Sequence, residues 1–148
     1  MRGIIAVNNL GYIGLDGELP WKSSEDLKHF KKLTMAHSCL VGWNTYQTLP
    51  KLEGRMTIVD SRGEPILSST PKEGRPKQDW SFIIGDDITP DDNLWCIGGK
   101  KTYEKYAPYI HELHISHIDD NTIGDTMFPD FSILNPDCKV VNHYFGSD

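Results

Sequence analysis

Hydrophobic residues in this chain fall into short runs separated by polar stretches that carry glycine or proline. Seven runs have strand character: Gly3–Val7, Ser38–Val41, Met56–Val59, Trp80–Ile84, Leu94–Ile97, Leu113–Ile118 and Lys139–Phe145. Several are continuously apolar rather than alternating, the pattern of strands covered on both faces. Three stretches carry helical spacing or capping signals: Ser24–Thr34, Asn44–Leu49 and Lys100–Tyr106. Strands alternating with helices predict an α/β fold with a largely parallel sheet. The last two strands have no helical pattern between them, which predicts an antiparallel ending.

Between the strands, Arg62–Asp79 holds three prolines and two glycines among many polar residues and reads as a surface loop. The stretch DDITPDDN has room for no more than one helical turn. There is no internal repeat, and 148 residues fit one domain spanning 1–148.

Composition narrows the function more than the fold. With 21 acidic against 15 basic residues the formal charge is −6, which argues against general nucleic-acid or anionic-membrane binding. Cys39, Cys96 and Cys138 are an odd, widely spaced set without CxxC, so a reducing cytoplasmic setting is expected and no cysteine metal centre. The first residues are too short an apolar run for a signal segment or a membrane span.

Three features carry candidate chemistry. In the stretch ELPWKSSEDLKHF, Ser23 or Ser24 can cap a helix whose first turn holds Glu25 and Asp26, with Lys31 and Lys32 at its other end. Leu27, Phe30 and Leu33 or Thr34 would form its buried stripe, and Asp26 leans toward that stripe. From this stretch alone, capping is the stronger reading of Asp26 and a charged pocket the weaker. Second, CLVGWNT and WCIGGKKTYEKY each place glycine between an apolar run and a helix, with Asn44 and Thr45 as cap candidates in the first. Two helix N-termini converging in this way would suit a pyrophosphate, although each alone is commonly just a turn, and neither is GxGxxG. Third, Arg55 and Ser61-Arg62 bracket the run MTIVD; arginine pairs well with carboxylate or phosphate, and a lone one is usually solvated. The histidines of HELHISHID carry no metal site among themselves. His114 faces away from His111 and His117, which would lie about 20 Å apart on a strand, so no metal is expected and a structural or surface role is.

Taken in order, these residues resemble dihydrofolate reductases. The stretch AVNNLGYIGLDGELPW matches the family's N-terminal signature. It is followed by Asp26-Leu27 with Phe30, Gly42 with Thr45, Gly54-Arg55, Ser61-Arg62, Ile97-Gly98-Gly99 with Tyr103, Gly124-Asp125-Thr126 and Phe128-Pro129. The resemblance implies a mixed, mostly parallel eight-stranded sheet flanked by helices. It also implies hydride transfer from NADPH to C6 of 7,8-dihydrofolate, with protonation of N5.

The residue roles follow from the same resemblance. Asp26 would anchor the pterin, Ser116 would stand behind it, and Trp21 would hold an ordered water. Ile4, Ile5, Leu27, Phe30, Leu49, Leu52 and Ile97 would line the substrate cleft, and Arg55 would clamp the substrate's glutamate carboxylate. For the cofactor, Ala6, Ile13 and Gly14 would meet the nicotinamide. Gly42, Asn44, Thr45, Gly98, Gly99, Lys100, Lys101, Thr102 and Tyr103 would serve the phosphates and the adjoining turn, and Ser61 and Arg62 the 2′-phosphate. The Gly98–Gly99 peptide is expected to be cis, and Asp125 to help close the nicotinamide side.

The departures from the family pattern are specific. Trp43 replaces a residue that is often basic, and Lys100, where a third glycine is common, could restore that charge. The Trp80–Leu94 region is short for the family's helix, and the chain ends after Tyr144-Phe145, so the final C-terminal strand is expected to be missing. The partners expected are dihydrofolate and NADPH, with the chain a monomer or a homodimer through the edge so exposed. Two rivals stand beside this reading: a same-fold pyrimidine reductase of riboflavin synthesis, and a folate- or NADPH-binding structural protein without turnover.

Overall fold

The computed structural model of the protein describes residues 1–60, 81–84 (backbone only), 93–132 and 134–148. The Arg62–Asp79 loop, most of the DDITPDDN stretch and Ser61-Arg62 lie outside the described residues. Seven strands form the main sheet: β1 (Arg2–Asn8), β3 (Ser38–Gly42), β4 (Met56–Asp60), β5 (Ser81–Ile84), β6 (Leu94–Gly98), β7 (Glu112–Asp119) and β9 (Lys139–Gly146). Their spatial order is β5-β4-β3-β6-β1-β7-β9. All seven predicted strand runs are strands. A separate two-stranded antiparallel ladder pairs β2 (Tyr12–Gly14) with β8 (Thr126–Met127); neither short strand is marked by periodicity in the sequence.

The predicted antiparallel ending is not what forms. Strand β9 runs parallel to β7 in unbroken register from Glu112↔Lys139 to Asp119↔Gly146. A parallel return needs a crossover of a dozen or more residues. The segment between β7 and β9 supplies that length, and among its described residues it does so with β8 and turns instead of a helix. Each pairing described in the main sheet is parallel. Strand β9 forms one edge and exposes Val140 and Tyr144.

Helices α1 (Ser24–Thr34) and α3 (Lys100–Tyr106) have the predicted bounds, whereas α2 is only Trp43–Tyr46. Helix α1 starts at Ser23, whose hydroxyl accepts the Asp26 N–H at 3.3 Å. The same hydroxyl donates to the Gly146 carbonyl at 2.7 Å, fixing the helix start against β9. The main core gathers Ile5, Leu40, Cys96, Tyr103, Tyr106, Ile110 and Leu113, while Val41, Tyr46 and Val59 form a second cluster. A fully buried carboxylate, Asp60, ends β4 and accepts hydrogen bonds from Lys105 Nζ at 2.9 Å and Tyr106 Oη at 2.8 Å. A buried charge is tolerated only when paired and hydrogen-bonded in this way. Cys39, Cys96 and Cys138 form no disulfide among the described residues, and burial pushes the Cys39 thiol up to about 11. Among the described residues, no helix is long and apolar enough to cross a membrane.

Candidate active site

Parallel register decides which side chains share a face of the sheet. Ile4 pairs with His114 and Ala6 with Ser116. With a side-chain period of two, Ile4, Ala6, His114 and Ser116 share one face and Ile5 lies on the other. Ile5 belongs to the main core, so its expected place in the cleft wall is corrected: strand alternation turns it away from Ile4.

Asp26 projects from the first turn of α1 toward Ser116 and is only 6% exposed. Burial raises its carboxyl above the usual carboxylate range, and the Ser116 hydroxyl opposes that shift. Because Ser23 supplies the cap, the capping reading of Asp26 gives way. Trp21 Nε1 is buried without a hydrogen-bond partner among the described residues, and the buried Ser116 hydroxyl faces the Asp26 carboxylate. Buried polar atoms are almost always satisfied, so an indole N–H left open in this way marks a place that can receive a polar group.

The expected stripe of α1 is only partly correct. Leu27 is 56% exposed and Phe30 and Leu33 are half-buried, whereas Asp26 and Thr34 are buried. An apolar stripe records which face avoids water but not whether protein or ligand covers it. Leu52 and Ile4 are buried, and Leu49 and Ile97 pack at the border of the second cluster beside Trp43. Arg55 lies with its guanidinium 5.7 Å from the centre of the Phe30 ring. It donates through Nη1 to Thr34 Oγ1 at 3.1 Å, and Thr34 in turn donates to the Phe30 carbonyl at 2.7 Å. Thr34 thus positions Arg55 beside the apolar stripe, a role that the sequence pattern, showing only a helical threonine, did not signal.

On the other side of the sheet order, the two glycine junctions interlock. A Cβ on Gly42 would overlap the Thr102 hydroxyl, and one on Gly99 would lie 2.6 Å from Thr45 Oγ1. Helices α2 and α3 therefore begin side by side, each with glycine as its N-cap and no side-chain cap bond. Asn44 and Thr45 lie within the first turn of α2 instead of capping it. The Gly98–Gly99 peptide is cis, as expected. Lys100 is half-buried and Lys101 exposed at the start of α3, whereas Thr102 is buried. Tyr103 is buried, its ring against Gly98 and its hydroxyl donating to the Ile4 carbonyl at 2.6 Å. It braces the turn and β1, and burial pushes its phenol well above its ordinary range.

The turn after β2 is held from two sides. Asp125 Oδ2 accepts the Asp16 N–H at 2.9 Å while the Asp125 N–H donates to the Gly14 carbonyl at 2.9 Å. Thr48 Oγ1 donates to the Gly17 carbonyl at 2.7 Å. Ile13, packed against the main core, and Gly14 are thereby fixed beside β8.

Comparison with known proteins agrees with this arrangement. The profile of the family described as dihydrofolate reductase matches residues 1–139. The chain is 34% identical over 128 residues to the dihydrofolate reductase type 9 of Escherichia coli, covering 83% of this chain and 72% of that protein. It is 33% identical over 131 residues to the type 3 enzyme of Salmonella typhimurium, covering 88% and 77%. Among solved structures it is similar to the dihydrofolate reductase from Enterococcus faecalis complexed with NADP(H) and RAB-propyl. That likeness has a TM-score of 0.70 at 26% identity and covers 88% of this chain and 77% of the other. With its sheet, its cis-glycine turn and its buried carboxylate all in place, the chain belongs to the dihydrofolate reductase family.

Proposed function

We propose that this protein reduces 7,8-dihydrofolate to 5,6,7,8-tetrahydrofolate, and that Asp26 is the residue on which the pterin's orientation and protonation depend. The observation that carries the reading is one buried carboxylate, raised by its burial and facing Ser116, at the junction of α1 and β7 in a chain of this family. NADPH, when bound, supplies the hydride. Everything else is done by residues of the chain.

Asp26 accepts hydrogen bonds from the pterin's amino and ring N–H groups, and its charge favours the form protonated at N5. Ser116 steadies the carboxylate, and the unpartnered indole N–H of Trp21 is suited to hold a water near the reacting edge. Ile4, Leu27, Phe30, Leu49, Leu52 and Ile97 exclude bulk water from the flat ring system. Arg55, held by Thr34, grips the substrate's carboxylate with the paired donors of its guanidinium. Ala6 and Ile13-Gly14 bound the nicotinamide position, and Gly42, Asn44, Thr45 and Gly98–Thr102, where two helix N-termini lie side by side, offer backbone N–H groups suited to a pyrophosphate. Ser61 and Arg62 follow β4 directly in sequence, and their hydroxyl and guanidinium suit a 2′-phosphate, which favours NADPH over NADH.

The test is loss of NADPH absorbance by the purified chain with dihydrofolate, run in parallel with NADH and with a ribosylated pyrimidine. Oxidation with dihydrofolate and preference for NADPH support the reading. Oxidation only with the pyrimidine would overturn it in favour of the riboflavin-type reductase, and binding without oxidation in favour of a structural protein.

A further inference from the structure

The histidine that the sequence pattern left without a role, His114, is not isolated. On the face of the sheet shared with Ser116, it meets His29 from α1 and His143 from β9, and one ring nitrogen of each lies within 4.8 Å of the other two. The sequence separates the three widely; parallel register brings His143 beside Ser116, and the α1 helix repeat puts His29 on the same side as Asp26.

We propose that His29, His114 and His143 form a binding site for one divalent transition-metal ion of the zinc class, joining α1 to β7 and β9. Glu112 Oε1 lies 2.8 Å from His114 Nε2. If that nitrogen carries the proton, Nδ1 is left as the lone pair, and Nδ1 lies 3.1 Å from His143 Nε2. A carboxylate behind a histidine is the arrangement that fixes the tautomer and orientation of a metal ligand. The rings of His114 and His143 are stacked within 10° of parallel, and the His29 ring centre lies 4.1 Å from that of His143.

Hydrogen bonding alone accounts for only part of the trio. A chain from His143 through His114 to Glu112 satisfies two imidazoles, but His29 Nε2 is buried with no partner. Metal ligation accounts for all three. Tetrahedral zinc–imidazole bonds of 2.0–2.1 Å place ligand nitrogens about 3.3 Å apart, so ring rotations about the side-chain bonds close the remaining gap. Imidazole nitrogen donors select zinc, cobalt, nickel or copper over magnesium and calcium, and three protein ligands leave the fourth position to water. His111, which precedes β7, and His117, on the opposite face of it, are not part of the trio.

The experiment is titration of chelator-treated, full-length protein with cobalt(II) chloride, followed by displacement with zinc chloride and by thermal melts with and without zinc. The expected result is one equivalent of cobalt with the visible absorption of four-coordinate cobalt, lost on adding zinc. Zinc at 100 times its dissociation constant should raise Tm by about 5–10 °C. His29→Gln and His143→Gln, both at half-buried positions, should each abolish the cobalt spectrum and the Tm shift, and His117→Gln should leave both intact. Absence of stoichiometric binding by the unaltered protein would overturn the proposal without recourse to any variant. Binding that survives both substitutions would overturn it as well, by placing the ion elsewhere. Neither readout uses the reductase reaction, so the outcome is independent of the functional reading above.

Discussion

Replacing Asp26 by Asn tests the catalytic reading with two readouts of opposite sign. The side chain is 6% exposed, so an effective dielectric of about 20 is appropriate, and a unit charge about 5 Å from a protonated pterin nitrogen is worth about 3 kcal/mol. Loss of that charge at constant shape should lower turnover by about 10²-fold at neutral pH. Turnover should recover partly in acid, where solvent supplies the proton that the carboxylate no longer favours. Stability should move the other way. A carboxyl whose folded pKa lies above its unfolded value of about 3.9 contributes stability below that value and loses it as pH rises through the folded pKa. At pH 7 the native protein therefore bears an ionisation cost that the asparagine variant lacks. Asp26→Asn should raise Tm at pH 7, and the difference should shrink toward pH 4. Helix α1 should survive, because Ser23 does the capping. The assays are steady-state NADPH oxidation across pH and thermal melts at matched pH. Near-normal turnover at pH 7 with an unaltered pH profile would refute the role of Asp26.

Other perturbations separate the remaining parts of the site. Arg55→Lys should raise KM for dihydrofolate about 10–100-fold with little change in kcat, because a charge-assisted bidentate contact becomes a point contact; a pteridine lacking the glutamate should be reduced equally well by both forms. Thr34→Val should produce a smaller shift in the same direction by releasing the Arg55 guanidinium. Gly42→Ala should cost about 1–3 kcal/mol in denaturant unfolding, since its Cβ would overlap the Thr102 hydroxyl, and should weaken NADPH binding measured by fluorescence. Lys100→Ala should weaken NADPH binding and reduce its salt dependence; unchanged affinity would remove Lys100 from the phosphate site. The Asp16 N–H and the Thr126 hydroxyl hold Asp125 below the usual carboxylate range. Order in the Leu15–Glu18 turn should accordingly persist above the ordinary carboxylate pKa and be lost as pH falls through the depressed one. Hydrogen exchange at Asp16, faster in Asp125→Ala, would report this.

Sequence pattern revealed the fold where structure is local and missed it where partners are distant. Short runs rich in apolar and β-branched residues identified all seven strands of the main sheet, and caps and charges placed α1 and α3 correctly. The two short strands β2 and β8 exist because Tyr12 meets Met127 across the fold, and three residues carry too little periodicity to announce it. The direction of β9 is not legible in the pattern, because a crossover built from turns and a short strand carries no helical signal. The exposure of Leu27 and the inward turn of Ile5 have a related cause: hydrophobicity shows that a side chain avoids water, whereas strand alternation and ligand occupancy decide what it faces. For the site, the family signature led to Asp26, Trp21 and the cis-glycine turn. The support of Arg55 by Thr34, and the meeting of His29, His114 and His143, could be seen only once the register was known.

Helix α1 connects these observations. Its start is held to β9 by Ser23 on Gly146, and to the residues that follow β9 by Ser24, whose N–H and hydroxyl both donate to the Asp148 carboxylate. One turn beyond Asp26, His29 packs on His143 and Phe145 of the same strand. Asp26 is buried because α1 is seated there, and its raised pKa is a consequence of that burial. An edge strand usually offers little rigidity, since half of its backbone groups lack a sheet partner. Here β9 gains rigidity from the helix it carries, and the helix gains from β9 a fixed position for its carboxylate. The edge strand β9 thus helps set the burial of the carboxylate proposed to anchor the pterin, and His29, which packs on that strand, lies one helical turn from the group that the proposed reaction most depends on.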